Sequence, residues 1–210
     1  MESPNSGTHV EYQIIAGELS LDLINTLDNR PLPGQQKDLL GSYQDLADWA
    51  LQAGAVGSQQ RAALLRTAAA DPRAAAATLH KAVELRECLY RIVSSRLRNR
   101  RPALEDLALF SCFLAESHSH LQLQGGRSGF RLGWPASKAG LDSLLWPIVK
   151  SAAALLTSAD LHHVRECDSA SCRWVFLDRS KNHSRRWCDM KVCGNRVKAH
   201  RFYQHRRRAS

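Results

Sequence analysis

No stretch of this sequence approaches the roughly 20 consecutive apolar residues of a membrane span, so no membrane partner is expected. Met1–Thr8 is polar and lacks the charged and apolar regions of a signal peptide, which makes the cytoplasm the expected location. Internal repeats and long low-complexity linkers are missing, which argues against a repeat array or a tethered pair of domains. Also missing are a nucleophile–base pairing, a phosphate-cradling glycine loop and a second metal-ligand cluster. No catalytic residue is nominated, and an enzyme is not expected.

What is present is unevenly distributed. At 210 residues and 44% hydrophobic content the chain can hold one good domain and a small appendage. Residues 1–164 carry 16 Lys/Arg against 16 Asp/Glu, and residues 165–210 carry 13 against 4, so the whole net charge of +9 lies after Val164. That dense positive field, interleaved with aromatics, suits phosphate backbones, and nucleic acid is the expected partner.

The same segment holds Cys167, Cys172, Cys188 and Cys193, two C-x4-C pairs with fifteen residues between them. Two short-spaced thiol pairs joined by a loop of this size are how one zinc ion is held by four sulfurs. Two disulfides, or four unrelated cysteines, are the alternatives; a reducing compartment favours the metal. A four-sulfur shell is full, so the zinc is expected to be structural, and His183, His200 and His205 are not needed as ligands. Cys88 and Cys112 fall in apolar helical patterns and read as small core residues.

Periodicity predicts helices over Gly17–Asp28, from the Ser42/Asp45 start to Gly54, over Ser58–Ala70, from Asp71-Pro72 to about Arg98, from Pro102 to about Ser117, and over Trp146–Thr157. Between the last two, alternation from His120 to Trp134 predicts a β-hairpin with one apolar face. Trp174–Leu177 reads as a short strand over the metal, and Asp178 as a partner of nearby arginines. A basic helix follows Cys193-Gly194, with Asn195 as its N-cap. The connection to the metal segment is short, so that segment is expected to pack on the helical part. The expected fold is mainly α: a helical domain over 1–160 with one hairpin, serving in sensing or dimerisation, and a zinc finger over 161–210. The finger is expected to be treble-clef-like or ribbon-like and to end in the basic helix.

Cys193-Gly194-Asn195-Arg196 reads CGNR, and the stretch CDSASCRWVFLDRSKNHSRRWCDMKVCGNRVKAHRFYQHRR resembles the CGNR zinc finger over its full length. LSLDLINTL (Leu19–Leu27), with Trp49 and Gly54 in DLADWALQAGAV, resembles the partner ABATE domain. Leu23 stands where the LDFVNT pattern has an aromatic. The resemblance implies a bacterial transcriptional regulator whose N-terminal domain senses a stress or a small molecule. Asp22, Asn25 and Arg30 are then candidates for an effector pocket, with Asn25 and Arg30 on an anionic ligand; helix capping and interhelical hydrogen bonds are the commoner use of such side chains.

Candidate nucleic-acid contacts are Arg185, Arg186, Arg196, Lys198, Arg201, Arg206 and Arg207, with Arg196 and Lys198 placed to read bases and the C-terminal arginines to hold phosphates. Duplex DNA is the preferred partner and a homodimer a common arrangement. An RNA- or ribosome-associated zinc protein, and a protein-interaction module with a structural zinc, are the alternatives.

Overall fold

Asp71 and Pro72 start the longest helix. The Asp71 carboxylate accepts the Ala74 amide at 3.0 Å, and Pro72 sits in the first turn, where no N–H is needed. The computed structural model describes residues 11–126, 129–135 and 140–208, and leaves out the side chains at positions 200, 201, 203, 205, 207 and 208. The expected unstructured start, Met1–Thr8, and the hairpin tip Arg127-Ser128 lie outside the described residues.

Helix α4 (Pro72–Leu97) is the spine. Leu85, Cys88, Leu89, Ile92 and Val93 are buried on it, and α1 (Leu19–Ile24), α2 (Tyr43–Gln52), α3 (Ser58–Ala70) and α5 (Leu104–Ser119) pack around it. Ser42 caps α2 by accepting the Asp45 amide, and Gly54, at φ +73°, turns the chain out of it. Helix α5 begins two residues after Pro102, not at it. It buries Asp106, Phe110, Phe113 and Ser117, a stripe that leaves Cys112 on the opposite, exposed face; only Cys88 is a core thiol.

The first helix is shorter than the periodicity predicts, six residues against the expected Gly17–Asp28. Two side chains end it. Asn25 leaves the helical register to bond the backbone of Val175, and the Thr26 hydroxyl donates to Leu23 O at 2.7 Å. The chain then extends as β1 (Leu27–Asp28), antiparallel to β2 (Lys37–Asp38), around a left-handed turn at Asn29. Arg86 of α4, 2% exposed, holds this ribbon down: its two terminal nitrogens each donate to an Asp38 oxygen at 2.7 Å.

The hairpin forms as β3 (Gln122–Gly126) and β4 (Gly129–Gly133), with Leu123 opposite Leu132 and Gly125 opposite Phe130. Its apolar face is present, but turned outward: Leu123, Phe130 and Leu132 are exposed, while Trp134 at its base donates to Ser117 O at 2.9 Å. A 3₁₀ turn (Leu141–Leu145) leads into α6 (Trp146–Leu156), which packs on α1 and α5. After a second 3₁₀ turn, β5 (Val164–Glu166) pairs antiparallel with β6 (Val175–Leu177), all three residues of which are buried. Helix α7 (Asn195–Arg208) closes the chain.

Candidate metal centre and nucleic-acid interface

The two cysteine pairs come from different kinds of local structure. Cys167 and Cys172 bracket the turn between β5 and β6: the Cys167 amide donates to Trp174 O at 2.8 Å and the Cys172 amide to Ser169 O at 3.0 Å. Arg173, at φ +60°, lets the chain fold back into β6 and pairs with Glu166 at 3.1 Å. Cys188 precedes, and Cys193 lies within, a single π-helical turn (Met190–Gly194) that runs directly into α7. A strand turn facing a helix start is the treble-clef arrangement; two ribbons are not what forms.

All four sulfurs are buried and lie within 4.8 Å of one another, with 3.6 Å separating Cys172 from Cys188 and Cys188 from Cys193. The edge of a tetrahedron with Zn–S bonds of about 2.3 Å is about 3.8 Å, so the donor set fits one zinc ion in both chemistry and size. Without a cation the thiols compete for protons. Hydrogen bonds from Cys172 and Cys188 hold Cys167 down as a thiolate, while the same contact with Cys167 pushes Cys172 and Cys188 up. A divalent ion relieves that competition by making all four thiolates favourable. The four cysteines therefore form one structural zinc site.

The cap of the helix is Asp189, not the expected Asn195, which already has helical dihedrals. Asp189 accepts the amides of Lys191 and Val192 through its carboxylate, and its carbonyl takes those of Cys193 and Gly194. The sequence carried a signal for this, an Asp just ahead of the helical run. Asp178 is fully buried and bonds amides in place of arginine side chains. Burial opposes its charge, but the Ser180 hydroxyl and the amides of Ser180 and Arg185, both at 2.9 Å, hold its carboxyl below the usual range.

The candidate nucleic-acid residues divide sharply. Arg185 is built into the metal knuckle: it donates to the carbonyls of Trp187 and Cys188 and lies over the Phe176 ring at 4.4 Å. Arg186 is exposed but paired with Asp168 at 2.6 Å, closing the zinc loop on itself. Arg196 and Lys198 stand exposed on the first turn of α7, Arg196 touching Ser171 Oγ at 3.0 Å. Arg206 lies over Phe202 at 5.8 Å. The side chains of Arg201 and Arg207 lie outside the described residues.

The effector-pocket candidates are used inside the protein. Asp22 accepts the amides of Ile15 and Ala16, both at 2.9 Å; Asn25 bonds Val175; Arg30 forms a two-pronged pair with Glu87 and lies over Tyr90 at 4.0 Å. They hold elements together, the capping and cross-linking alternative. The polar surface nearest the metal is instead a cavity of about 280 Å³ beside Cys172, Cys188 and Cys193, where Asp28 and Lys37 of the ribbon face Asp189 and Arg196.

Two family models match the chain. ABATE, described as "Putative stress-induced transcription regulator", matches residues 17–159, and zf-CGNR, "CGNR zinc finger", matches residues 163–208. No curated protein matches it.

Proposed function

From the chain's membership of the ABATE family, with a CGNR zinc finger at its C-terminal end, we propose that it is a transcription regulator that binds duplex DNA through the finger. The observation that carries this is the charge: the whole excess of +9 follows Val164, and even after four thiolates and one zinc take two units from it the finger keeps about +7. Zinc supplies no chemistry here beyond fixing the two turns. Their effect is to aim the first turn of α7, with Arg196 and Lys198, away from the metal and into solvent. A helix start of this kind fits a major groove or lies along phosphates.

The finger is not independent of the helical part. Asn25 bonds β6 from the end of α1, and the Leu177 amide donates to Ala16 O at 2.8 Å, so a change in the helical core reaches the metal knuckle through two buried contacts. That supports a helical domain that modulates DNA binding.

The test is fluorescence anisotropy of the full-length zinc-loaded protein on a labelled duplex of about 30 base pairs, with structured RNA as competitor, at several salt concentrations. Binding that weakens as salt rises and survives RNA competition is expected. Loss to RNA at stoichiometric competitor, or no salt dependence, would overturn the duplex reading.

A further inference from the structure

The largest cavity among those of the described residues, about 560 Å³, lies away from the metal, between α3, the base of the hairpin and the start of α6. Leu64, Trp134, Trp146 and Pro147 give it apolar walls, and among the described residues no ionisable side chain lines it. Its size falls within the few hundred to about 1,000 Å³ of small-molecule sites.

Two of its lining groups are anomalous. Ser143 and Trp146 are 3% and 4% exposed, and neither the Ser143 hydroxyl nor the Trp146 indole N–H has a hydrogen-bond partner. Buried polar groups nearly always find partners, and an orphan is destabilising by roughly 1–3 kcal/mol. The neighbouring Trp134 shows the ordinary case: its N–H is taken by Ser117 O. Trp146 is also held rigid, stacked on His120 at 4.6 Å and against Trp134 at 6.0 Å. Two fixed, unused hydrogen-bonding groups in the wall of one apolar cavity form the pattern of a site waiting for a partner.

We infer that this cavity binds a small, flat, uncharged molecule carrying a hydrogen-bond acceptor for Trp146 and a second polar group within reach of Ser143. A charged ligand would lose its hydration with no counter-charge in the wall. A pure hydrocarbon would leave both orphans unpaired. Calling the molecule an effector rests on the regulator reading above; the binding itself does not.

The probe is coumarin, neutral and flat with a carbonyl, titrated by ligand-observed NMR into the full-length zinc-loaded protein. Naphthalene, similar in size without the carbonyl, and coumarin-3-carboxylate, which adds a charge, are the comparators. Coumarin should bind saturably and about tenfold more tightly than either comparator. Ala63→Trp, at an exposed position of α3 that lines the cavity, should abolish binding while leaving the melting temperature and zinc content unchanged. Ser143→Ala and Trp146→Phe should each weaken coumarin about three- to tenfold and leave naphthalene unchanged. If Trp146→Phe does not fold, Ser143→Ala decides, because the Ser143 hydroxyl holds nothing in the fold. The inference is overturned by no saturable coumarin binding, by equal binding of the comparators, or by undiminished binding to Ala63→Trp. Duplex binding, measured on the same preparation, is judged separately: coumarin binding without duplex binding sinks only the regulator reading, and the reverse sinks only the cavity.

Discussion

Asn25 and Val175, 150 residues apart, exchange a pair of hydrogen bonds: the Asn25 amide donates to Val175 O at 2.9 Å, and the Val175 amide donates to Asn25 Oδ1 at 3.0 Å. The side chain does what a neighbouring strand would do, satisfying both backbone groups of the first residue of β6. Asn25 is 3% exposed and Val175 is fully buried, so neither group can turn to water. One core accordingly runs from Leu21 and Leu23 of α1 through Phe176 to the zinc-ligand cysteines.

Asn25→Ala should leave both Val175 backbone groups unpaired and destabilise the protein by about 2–4 kcal/mol. Asn25→Asp should be at least as harmful, because it sets a carboxylate oxygen against the Val175 carbonyl. Urea unfolding gives the stability, and the rate of zinc release to a chromogenic chelator gives the effect on the knuckle. Wild-type stability together with a wild-type release rate would mean the pair links nothing.

Cys188→Ser should abolish stoichiometric zinc, removing a contribution on the order of 10 kcal/mol to folding of the finger. The consequence should not stop there, since β6 packs on α1. Amides of Leu21–Ile24 should exchange much faster in the variant while those of α3 and the middle of α4 stay protected. Hydrogen exchange by mass spectrometry reads both regions in one experiment. A full equivalent of zinc in the variant would refute the ligand assignment.

Burial lifts the Asp22 carboxyl to about 6, against the downward pull of the Ala16 and Ile15 amides. Its folded value is then higher than its unfolded one, so the folded state holds more protons between about pH 4 and 6 and stability contributed by the neutral form is lost as pH rises through that window. Asp22→Asn keeps the accepting oxygen and cannot ionise. Its stability relative to wild type should grow by about 1 kcal/mol between about pH 4 and 6 and stay flat above. Taking the difference between the two proteins cancels the titration of the zinc thiolates, which both share. A difference that is constant from about pH 4 to 8 would count against the buried carboxyl.

What the sequence made legible was local. Ser42 with Asp45, and Asp71 with Pro72, specify helix starts through atoms close together along the chain, and the structure places α2 and α4 there. The cysteine spacing was equally self-contained. The larger misreadings involve a distant partner. Periodicity carried α1 on through Leu27 because nothing near Asn25 shows that Val175 is waiting for it. The alternation of the hairpin found the right strands, but a period of two cannot say whether the apolar side meets a core, and here it meets solvent. Arg185 and Arg196 look alike in a basic sequence; only the fold separates a guanidinium bonded to the Cys188 carbonyl from one on an open helix turn.

That separation gives the sharpest prediction for DNA binding. Arg185→Ala removes a side chain that ties the Trp187 and Cys188 carbonyls and covers Phe176, so it should speed zinc release and lower the melting temperature. Once the variant is loaded with zinc, its log–log salt slope for duplex binding should equal that of wild type. Arg196→Ala and Lys198→Ala should do the reverse, leaving zinc release unchanged. Where either side chain holds a phosphate, its removal should reduce the slope by about one unit on any sequence. If Arg196 instead reads a guanine edge, the substitution should cost about 1–3 kcal/mol at a preferred site and little on random duplex. Titrating the three variants on specific and random duplexes at several salt concentrations separates these outcomes. A slope change in Arg185→Ala as large as in Arg196→Ala would return Arg185 to the DNA surface and remove the division drawn from the knuckle geometry.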